Sequence, residues 1–261
     1  MNAVILCAGF ATRMYPLTEN FPKPLLEVAG TPVLDYLVDQ VVALPDIQAV
    51  HIVTNDRFYE HFRQWYLNKA NRGDFGSTSI LIYNNGCTDN ERRLGAAGDL
   101  FLALDKIGTP GRLLVSGGDN IYLFSIKPLW EIFQKGNVHC IPALIETDLA
   151  KLQRTGVLEL ADDDRVVKLH EKPDLPPSTW TSPPLYFFQP SVWRRLENFL
   201  ETTGNHDAPG YFIDYLSQLE QVRAVRLNSS RLDIGDITTY READRLLRQA
   251  PLDLGSIESR L

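Results

Sequence analysis

The sequence has little cysteine and little that would suit a membrane or a nucleic acid. Its three cysteines, Cys7, Cys87 and Cys140, lie far apart and form no C-x-x-C pair, so neither a disulfide framework nor a structural zinc site is expected. No apolar run approaches the roughly 18 residues that a membrane span needs, and no basic leader precedes the first predicted strand. The net charge of −7 argues against nucleic-acid binding, which usually requires a basic face. We therefore expect a cytoplasmic protein that binds neither membrane nor nucleic acid.

Several common catalytic patterns are missing as well. No G-x-G-x-x-G opens the first predicted helix and no Walker A motif occurs, which argues against a dehydrogenase and against a P-loop. The five histidines show no metal-ligand spacing, and no Ser-His-Asp or Cys-His arrangement is present. A histidine-bound metal or an activated nucleophile is therefore not indicated.

What the first 120 residues do contain is an alternation of apolar runs and helical patterns. Four short runs have the composition of buried strands: 3–7, 49–54, 79–83 and 113–115. Amphipathic stretches separate them, and the first of these is expected to begin with Thr31 and Pro32 as N-cap and first turn. This alternation predicts βαβ units with a mainly parallel sheet. In the second half, residues 156–171 have the pattern of a hairpin and a proline-rich loop follows. We predict a Rossmann-like three-layer α/β/α fold with a mainly parallel central sheet and an inserted β-hairpin or lid region.

The stretch after the first run has the chemistry of a phosphate-binding loop. The run ends in Ala8-Gly9-Phe10-Ala11-Thr12, small residues that allow backbone amides to approach a ligand closely. Arg13 offers a planar fork of donors for phosphate oxygens, and Lys23 offers a compact charge between two prolines that stiffen the backbone. The sequence therefore predicts a loop that directs positive charge at a polyphosphate.

This stretch resembles the opening motif of the sugar-phosphate nucleotidyltransferases, the family that includes glucose-1-phosphate thymidylyl- and uridylyltransferases. The family pattern is a strand, then G-G-x-G-T-R, a proline, and P/S-K-x-L. Here the pattern stands as Ala8-Gly9-Phe10-Ala11-Thr12-Arg13, Pro16 and Pro22-Lys23-Pro24-Leu25. Ala8 and Ala11 replace two glycines of the pattern. If either position needs a positive φ, alanine costs more free energy there than glycine would.

Two carboxylates match later motifs of the same family. Asp119 follows a predicted strand and two glycines as G-D-N. Asp233 lies in R-L-D-I-G-D, a predicted loop over 231–236 that resembles W-x-D-x-G. The resemblance implies that Asp119 and Asp233 bind Mg²⁺, an ion that prefers carboxylate and phosphate oxygens. From the residues alone, G-D-N is also good turn chemistry. Asp236 competes with Asp233 for the metal role, or else caps the last helix.

The resemblance further implies two sets of substrate-binding residues. Glu171-Lys172-Pro173 matches E-K-P, whose glutamate contacts sugar hydroxyls and whose lysine contacts the sugar phosphate. Leu94–Gly98 is similar to the L-G-T-A-G of the nucleotide loop, and Asn84 or Asn85 with Gly95 are the nearest counterparts of the base-reading groups. The expected nucleotide set is Leu6, Ala8, Gly9, Ala11, Thr12, Asn85, Gly95 and Asp119, and the expected sugar-phosphate set is Gly156, Glu171, Lys172 and Asp233.

Other segments depart from the family pattern. Pro183 and Pro184 stand where the relatives have a small residue and a glycine in contact with the sugar ring, and Thr155 replaces a tyrosine. Residues 208–214 stand where the thymidylyl members carry E-x-T-D, and only Asp214 is retained. The sequence therefore does not identify which sugar or which nucleobase the protein would bind.

The function that the resemblance implies is Mg²⁺-dependent condensation of a nucleoside triphosphate with a sugar 1-phosphate, giving an NDP-sugar and pyrophosphate, with Arg13 and Lys23 as catalytic cations. Two alternatives are a polyol or inositol phosphate as the acceptor, and a catalytically silent nucleotide-sugar sensor. We expect one domain over 1–261, with a nucleotide-binding half at 1–120, a sugar-phosphate half at 121–240 and a C-terminal helix and tail at 241–261. A homo-oligomer is compatible with the sequence.

Overall fold

The computed structural model describes residues 1–108, 111–207 and 209–250. The chain forms two compact units from interleaved segments. We call the unit made of Ala3–Arg93, Gly117–Lys127 and the chain from Ser230 onward the loop unit. The unit made of Met1–Asn2, Leu94–Ser116 and Pro128–Ser229 is the hairpin unit. The predicted single domain with halves divided at residue 120 stays a prediction.

The described residues form short strands and mostly short helices. The strands are β1 (Asn2–Leu6), β2 (Glu27–Val28), β3 (Thr31–Pro32), β4 (Ala49–Thr54), β5 (Ser79–Asn84), β6 (Leu113–Gly117), β7 (Asn120–Tyr122), β8 (His139–Ile145), β9 (Gly156–Leu160), β10 (Val166–Glu171), β11 (Trp180–Ser182), β12 (Leu185–Phe188), β13 (Val222–Leu227) and β14 (Arg231–Asp233). The α-helices are α1 (Val33–Val42), α2 (Tyr59–Ala70), α3 (Ala96–Ile107), α4 (Lys127–Lys135), α5 (Leu149–Leu152), α6 (Val192–Thr203), α7 (Pro209–Ser217) and α8 (Ile237–Gln249). Short 3-10 turns cover Thr12–Met14, Lys23–Leu25 and Asp56–Phe58.

The loop unit has a strand order of β1-β4-β5, and β4 and β5 pair in parallel from Ala49 opposite Ser79 to Thr54 opposite Asn84. The parallel pairing follows from the helix α2 that connects the two strands, because a crossover returns the chain in the same direction. The apolar residues of β1 and β4 are buried, as a strand covered on both faces requires. In this unit, the predicted alternation of strand and helix is confirmed.

A second, smaller pairing in the loop unit was not predicted. β7 and β14 pair antiparallel, so residues 231–233, which the sequence indicated as a loop, form a strand. The ladder places Arg231 opposite Tyr122 and Asp233 opposite Asn120. The segments that pair are more than a hundred positions apart in the sequence, and local patterns carry no signal for such a contact. The predicted loop over these residues is wrong for that reason.

The hairpin unit has the strand order β10-β9-β11-β8-β12-β6, and its neighbouring strands run antiparallel except that β13 joins β8 in parallel. The predicted hairpin is confirmed, since Gly156–Leu160 pairs with Val166–Glu171 across the turn. The mixed α/β class of the chain is also confirmed. Ala208, the first residue of the divergent 208–214 segment, lies outside the described residues, as do residues 251–261 of the predicted C-terminal helix and tail.

The start of α1 differs from the prediction. Thr31 and Pro32 were expected to form the N-cap and the first turn, but they form β3, which pairs with β2. Pro32 then occupies the N-cap position, and the helix begins at Val33. No helix in the described part of the chain has both the length and the hydropathy that would let it cross a membrane.

The loop after β1 contains a residue in the left-handed conformation. Ala11 has φ 47° and ψ 43°, whereas Ala8, which is 5% exposed, is not among the described residues with positive φ. The carbonyl of Ala11 accepts hydrogen bonds from Thr18 Oγ1 at 2.8 Å and from Met14 N at 2.9 Å. These two bonds hold the backbone of Ala11 in a conformation that glycine adopts more easily.

This contrast predicts opposite effects of glycine at the two alanines. Ala11→Gly should raise the free energy of unfolding by up to about 1 kcal/mol, because relief of the left-handed conformation exceeds the added entropy of the unfolded chain. Ala8→Gly should lower the free energy of unfolding by about 1 kcal/mol, because it only removes a buried methyl group and adds that entropy. Urea denaturation of both variants measures the difference. Equal destabilisation by the two substitutions would show that the conformation of Ala11 carries no strain.

Candidate functional site

Lys23 is brought onto Asp119 in the loop unit. Lys23 begins a short 3-10 turn that follows Pro22 in extended conformation, and Pro24 occupies the next position. Its Nζ lies 2.7 Å from Oδ2 of Asp119, while the lysine itself is 7% exposed. Because the two prolines restrict the backbone around Lys23, its aliphatic stem is held in a buried position and its ammonium group lies against the Asp119 carboxylate.

Asp119 lies in the turn between β6 and β7. Its Oδ1 accepts a hydrogen bond from Asn120 Nδ2 at 2.8 Å, and 42% of its side chain is exposed. Burial raises the pKa of Asp119, but the charge and hydrogen bond of Lys23 and the charge of Arg231 outweigh burial, so that the pKa lies below its ordinary value. Asp119 is thus ionised and still reachable by solvent.

The turn that holds Asp119 packs closely against the end of β1. The backbone N–H of Gly118 donates to the carbonyl of Leu6 at 3.0 Å. A Cβ atom at Gly118 would overlap the sulfur of Cys7, so only glycine permits this approach. The G-G-D-N sequence therefore serves close packing as well as the presentation of Asp119.

Asp233 stands beside this turn through the β7–β14 ladder. Its Cα partner is Asn120, the residue that follows Asp119, and 59% of the Asp233 side chain is exposed. Arg231, on the same strand, places Nη2 at 3.7 Å from Asp233 Oδ2 and donates from Nη1 to Asn120 Oδ1. The two carboxylates that matched separate motifs are thus neighbours in one unit.

The donor set of Asp119 and Asp233 fits Mg²⁺. This ion commonly takes one or two protein carboxylates and completes its octahedral shell with water and substrate phosphates. Among the residues at 1–108, 111–207 and 209–250, no group of three or more histidine, cysteine, aspartate or glutamate side chains could hold a metal. The described side chains alone therefore do not form a closed metal cage, which leaves positions in such an octahedral shell for water or phosphate oxygens.

Asp236 has a different role. Its side chain accepts from the backbone N–H of Thr239 at 2.9 Å, and the Thr239 hydroxyl accepts from the Asp236 N–H at 3.1 Å, which completes a capping box at the start of α8. Hydrogen bonds from Thr239 and, to a smaller degree, the charge of Arg13 lower the pKa of Asp236. The alternative of Asp236 as a helix cap is confirmed. Arg13 itself is exposed in the turn Thr12–Met14.

The small-residue loop is held by a residue that the sequence analysis missed. Asn55 is fully buried, donates from Nδ2 to the carbonyl of Ala8 at 2.9 Å, and accepts from the N–H of Phe58 at 3.0 Å. Gly9 and Thr12 remain at the surface, and a Cβ atom on Gly9 would contact nothing within 4 Å. A signal was present, because Asn55 is a polar residue at the end of a buried strand and directly before a helical turn.

The side-chain amides that were expected to recognise a base make hydrogen bonds to the segments that follow β4 and β5. Asn84 Nδ2 donates to Asp56 Oδ1 at 2.6 Å and its Oδ1 accepts from Gly86 N at 2.8 Å. Asn85 Oδ1 accepts from Cys87 N at 2.9 Å. Through these hydrogen bonds, both side chains stabilise the loop after β5.

In the hairpin unit, Gly95 stands at the N-terminus of α3 with φ 77°. The N–H groups of Ala96 and Ala97 donate to the carbonyls of Asp207 at 3.0 Å and His206 at 3.1 Å. A Cβ atom on Gly95 would overlap the His206 carbonyl. The glycine is therefore required by the close contact between the start of α3 and residues 206–207.

Glu171 packs against two glycines in the same unit. Its side chain is 12% exposed, and a Cβ atom on Gly210 would overlap its Oε2, while one on Gly156 would lie 3.7 Å from that oxygen. Asp214 Oδ1 accepts the N–H of Leu169 at 3.1 Å, which fixes α7 to β10. The retained aspartate of the divergent segment therefore supports the strand that ends in Glu171.

Lys172 follows Glu171 with an unusual backbone. It has φ 49°, its N–H donates to the carbonyl of Thr155 at 3.1 Å, and 60% of its side chain is exposed. Its Nζ lies 3.5 Å from Glu171 Oε1. A left-handed non-glycine residue at the end of a strand costs free energy and commonly occurs at functional sites.

The predicted site residues are divided between the units as follows. The loop unit holds Leu6, Ala8, Gly9, Ala11, Thr12, Arg13, Lys23, Asn85, Asp119 and Asp233. The hairpin unit holds Gly95, Gly156, Glu171 and Lys172. Within the loop unit the predicted catalytic lysine and both predicted metal carboxylates come together, and within the hairpin unit Gly156, Glu171 and Lys172 do.

The comparison with known proteins agrees with these motifs. The family model described as nucleotidyl transferase matches residues 2–250. The bifunctional protein GlmU of Methanocaldococcus jannaschii is 26% identical over 248 residues, which are 95% of this chain and 54% of the relative. The chain thus spans about half the length of the curated relatives that it matches.

Solved structures share the fold. A Bacillus anthracis protein assigned as a glucose-1-phosphate thymidylyltransferase, in complex with sucrose, has a TM-score of 0.79 at 20% identity, over 97% of each chain. A UDP-glucose pyrophosphorylase complexed with UDP-glucose has a TM-score of 0.79 at 19% identity, over 95% of this chain and 98% of the other. This likeness confirms the predicted Rossmann-like α/β fold. With the family match over nearly its whole length, the chain belongs to the nucleotidyl transferase family.

Proposed function

We propose that the protein transfers a nucleotidyl group from a nucleoside triphosphate to a sugar 1-phosphate, with Mg²⁺, and releases pyrophosphate. The observation that carries this proposal is the convergence of Lys23, Asp119 and Asp233 in the loop unit, with a Lys23–Asp119 distance of 2.7 Å. The three residues come from three separate motifs of the family. Their convergence is what the transfer of a phosphoryl group requires, since that chemistry depends on positioned charge.

The covalent change is a displacement at the α-phosphorus. An ionised oxygen of the sugar phosphate forms the new P–O bond, and the bond from the α-phosphorus to the oxygen that bridges to the β-phosphate breaks, so that pyrophosphate leaves with that electron pair. The acceptor is already ionised near neutral pH, and no general base or covalent intermediate is needed. The protein contributes orientation and charge neutralisation.

The loop unit would hold the triphosphate. In this proposal, Arg13 binds the β- and γ-phosphates and Lys23 lies at the phosphoryl group that is transferred. Asp119 and Asp233 would hold Mg²⁺, which supplies further charge neutralisation at the phosphate oxygens when it is bound. The partial exposure of both carboxylates, 42% and 59% of their side chains, supports this assignment because a metal bound to phosphate must be reached from solvent.

The hairpin unit would hold the acceptor. Lys172 would bind the phosphate of the sugar phosphate, and Glu171 would accept hydrogen bonds from sugar hydroxyls. The packing of Glu171 against Gly156 and Gly210 supports a fixed carboxylate position, which a hydroxyl-binding role requires. The UDP-glucose complex of the structural neighbour and the name of the thymidylyltransferase are consistent with a sugar acceptor.

A cytoplasmic location and a homo-oligomer belong to the same proposal. The three cysteines are free and buried, which suits a reducing compartment. Cytoplasm is also where a triphosphate donor would be found.

A second candidate keeps the chemistry and changes the acceptor to a polyol or inositol phosphate. Tyr211, at 46% exposure, stands where the thymidylyl members have the glutamate of E-x-T-D. An exposed phenol in place of a carboxylate alters the hydrogen bonding available to an acceptor. This substitution favours an acceptor other than the sugar of the thymidylyl members.

Pyrophosphate release from a grid of nucleoside triphosphates and phosphate acceptors with Mg²⁺ tests the proposal. We expect turnover with at least one sugar 1-phosphate, since Arg13, Lys23, Asp119, Lys172 and Asp233 are all present. Turnover only with a polyol or inositol phosphate would favour the second candidate. Binding of a nucleotide sugar without turnover over the whole grid would favour a silent sensor and contradict the proposal.

The neighbouring aspartates provide a matched pair of variants. Asp233→Asn should lower kcat at least about a hundredfold with little change in melting temperature, because it removes a metal ligand from an exposed position. Asp236→Ala should lower the free energy of unfolding by about 1 kcal/mol and leave kcat within about twofold, because its carboxylate caps α8. Asp119→Asn should lower kcat by about the same factor as Asp233→Asn. The reverse pattern, with Asp236 needed for turnover, would overturn the metal assignment.

Gly210→Ala should raise KM for the acceptor about tenfold without a comparable change in KM for the triphosphate. The added Cβ atom would overlap Glu171 Oε2 and lie 2.9 Å from Leu169 Cδ2, so the carboxylate must move. Gly136→Ala is the control in the same unit, because its nearest neighbour is at 3.5 Å. Steady-state kinetics with each substrate varied separates the effects. An unchanged acceptor KM in a folded Gly210→Ala variant would show that Glu171 does not bind the acceptor.

A further inference from the structure

Arg231 occupies an unexpected place beside the two candidate metal ligands. It stands at the position of the aromatic residue in W-x-D-x-G, and its side chain is 18% exposed. Nη1 donates to Asn120 Oδ1, and Asn120 Nδ2 in turn donates to Asp119 Oδ1 at 2.8 Å. Nη2 lies 3.7 Å from Asp233 Oδ2. One guanidinium is therefore linked to Asp233 directly and to Asp119 through Asn120.

With Lys23, this arrangement balances the charge of the carboxylate pair. Lys23 Nζ makes an ion pair with Asp119 at 2.7 Å, and Arg231 makes a longer one with Asp233 at 3.7 Å. Each of the two carboxylates is thus paired with a cation among the described residues of the loop unit. A divalent cation that approaches Asp119 and Asp233 meets the repulsion of both cations before it gains the attraction of the carboxylates.

We propose that Arg231 is a positioning residue that keeps the Asp119–Asp233 pair from binding a divalent cation until a triphosphate is present. The inference rests on the proposed function in that it takes these two carboxylates as the metal ligands. The phosphates of a nucleotide bring the extra negative charge that offsets Arg231 and Lys23, so the cation and the triphosphate bind together. A family member with an aromatic residue at this position would lack the positive charge that Arg231 places beside the two carboxylates.

The planar guanidinium suits this role. It can donate to Asn120 from one nitrogen and face Asp233 with another, which a single ammonium group cannot do in the same geometry. Arg231 acts through its positive charge and through its hydrogen bond to Asn120. Substitutions that keep or remove the charge separate these two contributions.

Binding of Mn²⁺ to the full chain without nucleotide tests the proposal. Mn²⁺ uses the same carboxylate and water ligands as Mg²⁺, and electron paramagnetic resonance reports its free concentration. Arg231→Gln and Arg231→Met should tighten Mn²⁺ binding about tenfold, because each removes one positive charge near a divalent ion. Arg231→Lys should remain within about twofold of the unsubstituted chain, because the charge stays.

Two further variants control for remote effects. Arg63→Gln makes the same charge change in the same unit, at an exposed Arg63–Glu60 pair, and should leave Mn²⁺ binding unchanged. Asp233→Asn in the Arg231→Gln background should remove the gained affinity, which locates the ion at the carboxylate pair. Melting temperatures without metal show that the variants are folded, and Arg231→Met keeps the apolar stem of the side chain if Arg231→Gln is unstable.

The outcomes separate this inference from the proposed function. Tighter Mn²⁺ binding by both neutral variants, with Arg231→Lys unchanged, supports the inference even if no acceptor in the grid is turned over. Equal Mn²⁺ affinity of the unsubstituted chain and the neutral variants overturns it, even if pyrophosphate is released normally. Tight Mn²⁺ binding by the unsubstituted chain without nucleotide also overturns it.

Discussion

The ion pair of Lys23 and Asp119 is the interaction on which the candidate site depends. A lysine that is 7% exposed needs a partner for its charge, and Asp119 Oδ2 at 2.7 Å supplies one. The pair joins the loop after β1 to the turn before β7, and the β7–β14 ladder then places Asp233 beside Asn120. Three motifs that are distant in the sequence therefore share one location because a buried charge and a short antiparallel ladder fix them there.

Close packing of glycine is the second constraint. Gly118 allows the Asp119 turn to approach β1, and Gly210 allows α7 to approach the carboxylate of Glu171. Neither glycine needs a positive φ; what each position lacks is room for a Cβ atom. Ala11 is the opposite case, since it has room but adopts a left-handed conformation held by Thr18 and Met14. At a position where the family pattern has glycine, Ala11 therefore adopts a backbone conformation that glycine adopts more easily.

The proposed charge balance involves one residue, Arg231, that departs from the family pattern. Lys23, Asp119 and Asp233 lie in the motifs by which the sequence resembles the family, while Arg231 stands where the pattern has an aromatic residue. A guanidinium there links both carboxylates through direct and Asn120-mediated contacts. The proposed transfer reaction and the proposed control of metal binding both involve the same four side chains, Lys23, Asp119, Arg231 and Asp233.

The sequence by itself determined the strand-helix alternation around β1, β4 and β5 and the hairpin of β9 and β10. It also indicated the candidate residues Arg13, Lys23, Asp119 and Asp233. Periodicity and motif spacing are local properties of the chain, so the sequence carries both kinds of signal. Only the tertiary structure decided that residues 231–233 form a strand against β7 and that Asp236 caps α8. The same holds for the contact of Asn55 with Ala8 and for the contacts of Arg231 with Asp233 and Asn120. These features depend on contacts between segments that are distant in the sequence, and local propensity does not determine which of those segments meet.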